Sequence, residues 1–172
     1  LGKQIIERRH EEQLEQLVQR TLDLVSSCEA RALANVAHGV AKCRLPASVV
    51  SSLFAAVAEA AVHSGLAGFS PQNVANMVWA YATAGVAADE LYAAAAEAAV
   101  RGGLAGFTPQ NVAITVWAFA KAGVAAEALF AAVAEAAVRS RLAGFKPQDI
   151  SNTVGAFAKA GVAAEALFAA VA

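Results

Sequence analysis

A ten-residue segment that returns at a fixed interval is the strongest constraint on the fold of this chain. Its copies are LAGFSPQNVA from Leu66, LAGFTPQNVA from Leu104 and LAGFKPQDIS from Leu142, so consecutive copies begin 38 residues apart. A period between roughly 20 and 50 residues is typical of solenoids, in which each unit buries its apolar face against its neighbours. We therefore predict an all-α fold, an α-solenoid of stacked helix-turn-helix repeats that form a right-handed superhelix.

The high apolar content raises the question of a membrane protein. Hydrophobic residues make up 58% of the chain, charged residues 16%, and the mean hydropathy is +0.50. The uncharged stretch 102–120 reaches the length of a membrane span, but it contains Pro109, Gln110 and Asn111. Much of the hydropathy comes from alanine, which packs helices closely without making them lipophilic. We therefore expect a soluble protein without membrane insertion.

The charge balance excludes a strongly basic nucleic-acid binder. Thirteen basic and fourteen acidic residues give a net charge of −1, so any binding of nucleic acid must come from local segregation of charge.

Cys28 and Cys43 are predicted to lie on one helix, about 22 Å apart at 1.5 Å per residue. That separation is too large for a disulfide, so we expect reduced thiols that pack in the core.

Each repeat is predicted to contain a helix A and a helix B. Proline at the first helical position (Pro71, Pro109 and Pro147) opens helix A, and a glycine at Gly85, Gly123 or Gly161 ends it. Ser70 and Thr108 are predicted N-caps, whereas Lys146 cannot cap, so the third of these starts should be looser or capped by other means.

Helix B has carboxylates near its start and ends near Arg101 or Arg139. Gly102 and Gly103 break it, and where Ser140 and Arg141 replace them we expect Gly144 to provide the break.

These signals divide the chain into one leading segment and four units. Residues 1–27 are predicted to form an amphipathic helix, either helix B of a preceding repeat or a cap, with Leu14, Leu17 and Leu24 among its apolar residues. Residues 28–65 form a degenerate first repeat with a three-residue insertion near Arg44, and 66–103, 104–141 and 142–172 form repeats two to four, the last truncated. Leu1 is not an initiator methionine and the helix that holds Ala172 should continue, so we expect a piece of a longer protein.

The string FSPQNVANMVWAYATAG, from Phe69 to Gly85, together with its period of 38, resembles the octotricopeptide repeat family of organellar helical-repeat proteins. The resemblance covers the chain from about Arg31. It implies stacked helical hairpins that bind single-stranded RNA or rRNA in transcript maturation, stability or translation, in the chloroplast or the mitochondrion. The chain departs from the motif where His38 and Gly155 replace tryptophan and where Ile114 replaces asparagine.

The face of helix A opposite the predicted core is polar and changes from repeat to repeat. Amide side chains address base edges in one-base-per-repeat RNA-binding proteins, and lysine or arginine neutralises phosphate. The candidate RNA-binding residues are Arg31, Asn35 and Lys42 in the first repeat, Gln72, Asn73, Asn76 and Thr83 in the second, Gln110, Asn111 and Lys121 in the third, and Gln148, Asn152 and Lys159 in the fourth.

Structural alternatives stand beside several of these assignments. Asn76 and Asn152 are equally suited to holding neighbouring turns together, and Trp79 and Trp117 are expected to be packing pegs between helices rather than platforms for bases. Glu97 with Arg101 and Glu135 with Arg139 form i, i+4 pairs of ordinary helix support. The histidines His10, His38 and His63 have no metal-ligand spacing, and no cofactor motif or catalytic grouping occurs, so we expect a protein that is not an enzyme.

Two functional hypotheses follow. The first is a single-stranded RNA-binding solenoid of an organelle, in which the polar faces of the A helices line one groove. The second is a non-catalytic scaffold, whose concave surface holds protein subunits of a large assembly such as an organellar ribosome or a photosynthetic complex. The family resemblance and the variable row of amides and lysines favour the first, which is the leading hypothesis, whereas the near-neutral charge and the alanine-rich surface favour the second.

Overall fold

The computed structural model describes the backbone of residues 2–43 and 45–171, and the side chains of residues 12–43, 45–165 and 167–169. This part of the chain is all-helical, which confirms the predicted helical solenoid; the handedness of the superhelix stays a prediction. Leu1, Arg44 and Ala172 lie outside the described residues. The helices are α1 Gly2–Leu24, α2 Ala30–Lys42, α3 Ala47–His63, α4 Pro71–Ala84, α5 Asp89–Arg101, α6 Pro109–Ala122, α7 Glu127–Arg139, α8 Pro147–Ala160 and α9 Glu165–Val171, with a 3-10 turn at Val25–Ser27.

The helices form two layers. The A layer consists of α2, α4, α6 and α8, each packed along the next, and the B layer consists of α3, α5, α7 and α9, with α1 against α3. Contacts between neighbouring A helices are far more extensive than those between neighbouring B helices. Fully buried alanines such as Ala34, Ala75 and Ala113 let the A helices approach closely. The A layer is therefore the more closely packed of the two layers.

Aromatic contacts join the B helix of each repeat to the A helix of the next. The rings meet edge to face, an arrangement that stabilises a pair by about 0.5–1.5 kcal/mol beyond the burial of its area. The six rings belong to the core between the layers and are all buried. The pairs are Phe54 with Tyr81 at 4.4 Å between ring centroids, Tyr92 with Phe119 at 5.0 Å and Phe130 with Phe157 at 4.9 Å.

Two buried tyrosines add hydrogen bonds to this packing. The Tyr81 hydroxyl donates to the Phe54 carbonyl at 2.6 Å, across the boundary between two repeats, and the Tyr92 hydroxyl donates to the Val78 carbonyl at 3.2 Å. Burial raises the pKa of both phenols well above the usual range. The hydroxyls therefore remain neutral donors at any physiological pH.

The ends of helix A follow the predicted pattern. The backbone N–H of Asn73 donates to Ser70 Oγ, and the side-chain Oδ1 of Asn73 accepts from the backbone N–H of Ser70 at 3.1 Å, which makes a reciprocal capping box. In α8 the Lys146 amide donates to Oδ2 of the buried Asp149 at 3.0 Å, so that start is capped by other means. Left-handed glycines end the helices, with φ of 68° at Gly85, 71° at Gly123 and 67° at Gly161.

The end of helix B corrects one expectation. Gly103 has φ 57°, and Arg141 takes the same left-handed conformation at φ 52° although it carries a side chain. Gly144, at φ 79°, is the counterpart of Gly106 at 75° and lies further along the turn. The expectation that Gly144 provides the break is therefore wrong. The packing of the turn holds Arg141 in a conformation that disfavours L residues by roughly 1–2 kcal/mol.

Two expectations near the start of the chain are also corrected. Cys28 and Cys43 flank α2 instead of lying on it, and both are free thiols. In α1, Leu17 and Leu24 are 64% and 43% exposed, whereas Val18 and Leu22 pack against the core. Leu17 and Leu24, two of the predicted apolar residues, are therefore largely exposed, and Val18 and Leu22 provide the contact with the core instead.

We expect Tyr81→Phe to lower the free energy of unfolding by about 1 kcal/mol, because it removes one buried hydrogen bond between repeats and leaves the ring in place. Urea denaturation followed by circular dichroism measures the change. In the next repeat, Phe119 occupies the position of Tyr81 and Phe130 occupies that of Tyr92, so the fold accommodates a phenyl ring at both positions. Tyr92→Phe, which removes the longer bond, serves as the control and should have the smaller effect. Unchanged stability of Tyr81→Phe would contradict the assigned role.

Candidate nucleic-acid interface

One face of each A helix is not covered by the core. In α4 this face carries Gln72, Asn76, Trp79 and Thr83, which follow one another at intervals of four, three and four residues. Such spacing keeps side chains on one side of an α-helix. The first and last positions are about 16 Å apart at 1.5 Å per residue.

Stacking of the A helices brings the equivalent positions of four repeats together. We call this surface the inner face. Each of its residues is exposed or half-buried, although the polar atoms His38 Nδ1 and Thr83 Oγ1 are buried, so a ligand can reach most of this surface. Its residues are Arg31, Asn35, His38 and Lys42 in α2, Gln72, Asn76, Trp79 and Thr83 in α4, Gln110, Ile114, Trp117 and Lys121 in α6, and Gln148, Asn152, Gly155 and Lys159 in α8.

Two predicted binding residues do not belong to the inner face. Asn73 and Asn111 lie next to it in sequence, but their side chains cap α4 and α6. Asn111 Oδ1 accepts from the backbone N–H of Thr108 at 3.2 Å, and the backbone N–H of Asn111 donates to the Thr108 hydroxyl at 3.2 Å. Their side-chain carbonyl oxygens are thus already used to start a helix, and a role for these two residues in RNA binding stays a prediction. Every other predicted residue lies on the inner face.

Two amide side chains of the inner face form a hydrogen bond with each other. Gln148 Nε2 donates to Asn152 Oδ1 at 2.9 Å within α8, and both residues face solvent or are half-buried. Asn152 therefore hydrogen-bonds within its own helix and does not hold a neighbouring turn. The two amides retain further donors and acceptors for a ligand.

The two tryptophans, which the sequence predicts to be packing contacts between helices, also lie on the inner face. Trp79 lies seven residues after Gln72 and four before Thr83, so helical spacing alone puts it on the same face. The His38 ring stacks on Trp79, with centroids 4.9 Å apart and planes tilted by 35°, which makes Trp79 a packing contact between α2 and α4. Trp117 is covered differently, by Lys121 Nζ at 4.9 Å from the ring centroid.

Charge is segregated between the two layers of the described chain. The inner face carries Arg31, Lys42, Lys121 and Lys159 and no acidic side chain. The outer layer has the opposite sign, and its two arginines are paired: Arg101 with Glu97 and Arg139 with Glu135, each at 3.4 Å. The acidic residues of the B helices are Glu59, Asp89, Glu90, Glu97, Glu127, Glu135 and Glu165.

Comparison with known proteins supports an association with RNA. Residues 5–172 match the family model RESC6, described as RNA-editing substrate-binding complex 6 protein. The chain belongs to the RESC6 family. No curated protein and no solved structure matches it. The RESC6 description agrees with the coarser expectation of an RNA-associated helical protein, while the narrower assignment to the octotricopeptide repeat family stays a prediction.

His38 provides a titratable group on the inner face of this RESC6 family member. Burial, reinforced by the positive charge of Lys42, lowers the pKa of the imidazole below its usual value. His38 Nδ1 is buried without a hydrogen-bond partner, as is Thr83 Oγ1 one turn beyond Trp79. The fold therefore favours the neutral ring against Trp79.

Acidification should destabilise the contact between α2 and α4. Because the pKa of His38 is lower in the folded than in the unfolded chain, its contribution is present above about pH 6.5 and is lost as the pH falls towards the folded pKa. We expect urea denaturation to give a smaller free energy of unfolding at pH 5.5 than at pH 7.5, with a weaker pH dependence in His38→Gln. An identical pH dependence in the variant would refute this role.

Metal and membrane sites are not indicated in the described parts of the RESC6 family chain. Among these residues, no three His, Cys, Asp or Glu side chains lie close enough to hold a metal ion together. None of the described helices combines the length and the apolar character that crossing a membrane requires.

Proposed function

We propose that the chain is a single-stranded RNA-binding solenoid that holds RNA along its inner face. The observation that carries this proposal is the alignment, on four consecutive A helices, of amide side chains and cations with no acidic side chain among them. Membership of a family described as RNA-editing substrate-binding complex 6 protein supports RNA as the ligand.

The chemistry of the inner face suits single strands better than duplexes. Unpaired bases expose their hydrogen-bonding edges, which glutamine and asparagine amides can address, whereas the edges of A-form duplexes are largely inaccessible in the deep groove. The second inner-face position of each A helix, which we call the second row, is Asn35, Asn76 and Asn152 in three repeats but Ile114 in the third repeat. This variation supplies a difference between repeats on which base selectivity can rest.

The number of cations sets the expected strength of binding. Four basic side chains on the inner face, at about 0.7 of a counterion released per contact with a single strand, predict a salt dependence with a slope near −3. This is a modest electrostatic contribution. We therefore expect binding to weaken markedly as salt rises, but less than for a strongly basic protein.

Removal of inner-face charge tests the proposal directly. We expect the double variant Lys121→Ala plus Lys159→Ala to bind a labelled single-stranded RNA more weakly and to reduce the salt slope by about 1.4, since two phosphate contacts are lost. Fluorescence anisotropy at several salt concentrations measures both quantities.

A matched control removes the same charge from the other layer. Arg101→Ala plus Arg139→Ala makes the same change in net charge on the exposed surface of the B helices, and it should leave the affinity and the salt slope unchanged. Equal effects of the two double variants would show that only net charge matters, and would contradict a binding site on the inner face.

We also propose that the chain acts in an organelle, in RNA maturation, stability or translation. We further propose that its repeats are of the octotricopeptide type. The repeated motif from Phe69 to Gly85 supports the repeat type. The editing complex of the RESC6 family is a mitochondrial system, which favours the mitochondrion over the chloroplast. The absence of enzymatic activity stays a prediction from the sequence.

A scaffold role is the second candidate, on the outer layer instead of the concave surface that the sequence led us to expect. A groove of about 560 Å³ between α3 and the start of α5 is lined by apolar side chains, among them Ala55, Ala58 and Leu91, with Glu59 and Asp89 also on its walls. An apolar groove with acidic walls fits an amphipathic partner helix that carries basic residues. The family description also names a complex.

Nuclease treatment separates the two roles. If the outer groove binds a protein subunit, that subunit should remain bound after RNA is digested and should be lost from Ala55→Arg, because Ala55 is exposed in the groove. Affinity purification of the chain from its native organelle, followed by mass spectrometry, measures retention. Retention by Ala55→Arg equal to that of the unchanged chain would exclude this groove as the scaffold surface.

A further inference from the structure

The third row of the inner face changes from closed to open along the stack. Its positions are His38, Trp79, Trp117 and Gly155 in consecutive A helices. At the first boundary the His38 ring already covers Trp79 at 4.9 Å. At the last boundary the position next to Trp117 is an exposed glycine, and a Cβ atom added to Gly155 would meet no heavy atom within 4 Å.

We propose that Trp117, Lys121 and Gly155 form a ledge on which one nucleobase of the bound RNA stacks. This inference rests on the proposed RNA-binding function and adds the residue that holds a base. Trp117 is half-buried on the inner face, between the fully buried Val116 and Ala118. Its side chain packs partly against the core, as that of Trp79 does, so one part of the ring is fixed by the core and the rest is exposed on the inner face.

Lys121 gives the ledge its second property. Its Nζ lies 4.9 Å from the centroid of the Trp117 ring, on the neighbouring turn of α6. The group over the exposed part of the ring is thus a flexible ammonium, and a long lysine side chain can move from an indole ring to a phosphate at small energetic cost. A stacked base can take the place of the ammonium group while Lys121 pairs with the phosphate of the same nucleotide.

The surroundings of the ledge favour a nucleotide over an apolar peptide. Lys159 lies one turn beyond Gly155, as Lys121 lies one turn beyond Trp117, so cations flank the open space on both helices. Asn152 lies one turn before Gly155 and supplies an amide for the base edge. An anionic ligand with a flat ring matches this combination of indole, amide and two ammonium groups.

The counterpart at Trp79 lacks these properties. His38 already stacks on Trp79, and Thr83 occupies the position that Lys121 has in the next repeat. Lys42 Nζ lies farther from the ring, at 5.9 Å. The two tryptophans therefore differ in role, although they occupy equivalent positions of the repeat.

Tryptophan fluorescence tests the ledge because the chain contains only these two tryptophans. Trp79→Phe leaves Trp117 as the single indole, and Trp117→Phe leaves Trp79. During titration with a single-stranded RNA of mixed sequence, we expect the emission of Trp117 to be quenched with the same midpoint as the anisotropy of the labelled RNA. The emission of Trp79 should change much less.

Substitution of the ledge gives a second measurement. Trp117→Ala should lower RNA affinity by about five- to a hundredfold, the effect of losing one base–aromatic stack. Gly155→Trp should lower it as well, because a ring at Gly155 would fill the ledge as His38 does at Trp79. Ala93→Trp is the control: Ala93 is an exposed small residue of α5, and it lies in the B layer, away from the inner face. It should bind RNA like the unchanged chain.

The outcomes separate the ledge from the proposed function. RNA binding that depends on Lys121 and Lys159, but with unquenched Trp117 and normal affinity in Gly155→Trp, would overturn the ledge and leave the inner face as the RNA site. No RNA binding by the unchanged chain would overturn both. Loss of a protein partner, rather than of RNA, in Gly155→Trp would assign the ledge to a peptide and would also reject the inference.

Discussion

The close approach of the A helices holds the four repeats together. Alanines such as Ala75 and Ala113 are fully buried where these helices meet, and a larger side chain there would push the helices apart. Because each A helix packs along the next, the uncovered sides of four helices lie side by side. One ligand can therefore contact all four. The same alanines raise the mean hydropathy of the chain without forming a helix suited to cross a membrane.

Helix boundaries were predictable because they depend on local backbone chemistry. Pro71 and Gly85 bound α4 as the sequence indicates, since each residue acts through its own φ angle. The turn after helix B was not predictable in the same way. Arg141 adopts the conformation of Gly103, and the following leucines, Leu104 and Leu142, are also left-handed. Leu104 is buried in the core, so contacts distant in sequence hold this turn whether or not a glycine is present.

The inner face was predictable where helical spacing alone decides orientation, as for Gln72 and Asn76. It was not predictable where one side chain suits two tasks. Asn73 has the amide of a base-binding residue, but it lies three residues after Ser70 and caps the helix. Trp79 has the ring of a core residue, and only the neighbouring helix determines whether that ring is covered. Residue type supports both interpretations in each case, and the geometry of the neighbours distinguishes them.

The departures from the repeat carry more functional information than the repeat itself. An array of identical units would offer a ligand several equivalent registers, because a shift by one repeat would restore every contact. In this chain, His38 closes one boundary, Ile114 interrupts the row of asparagines, and Gly155 opens another boundary next to Trp117. Each change alters one position while the alanine contacts between the A helices keep the groove continuous. A flexible strand bound along this face therefore meets chemically distinct positions in a fixed order, which is the physical requirement for binding in one register.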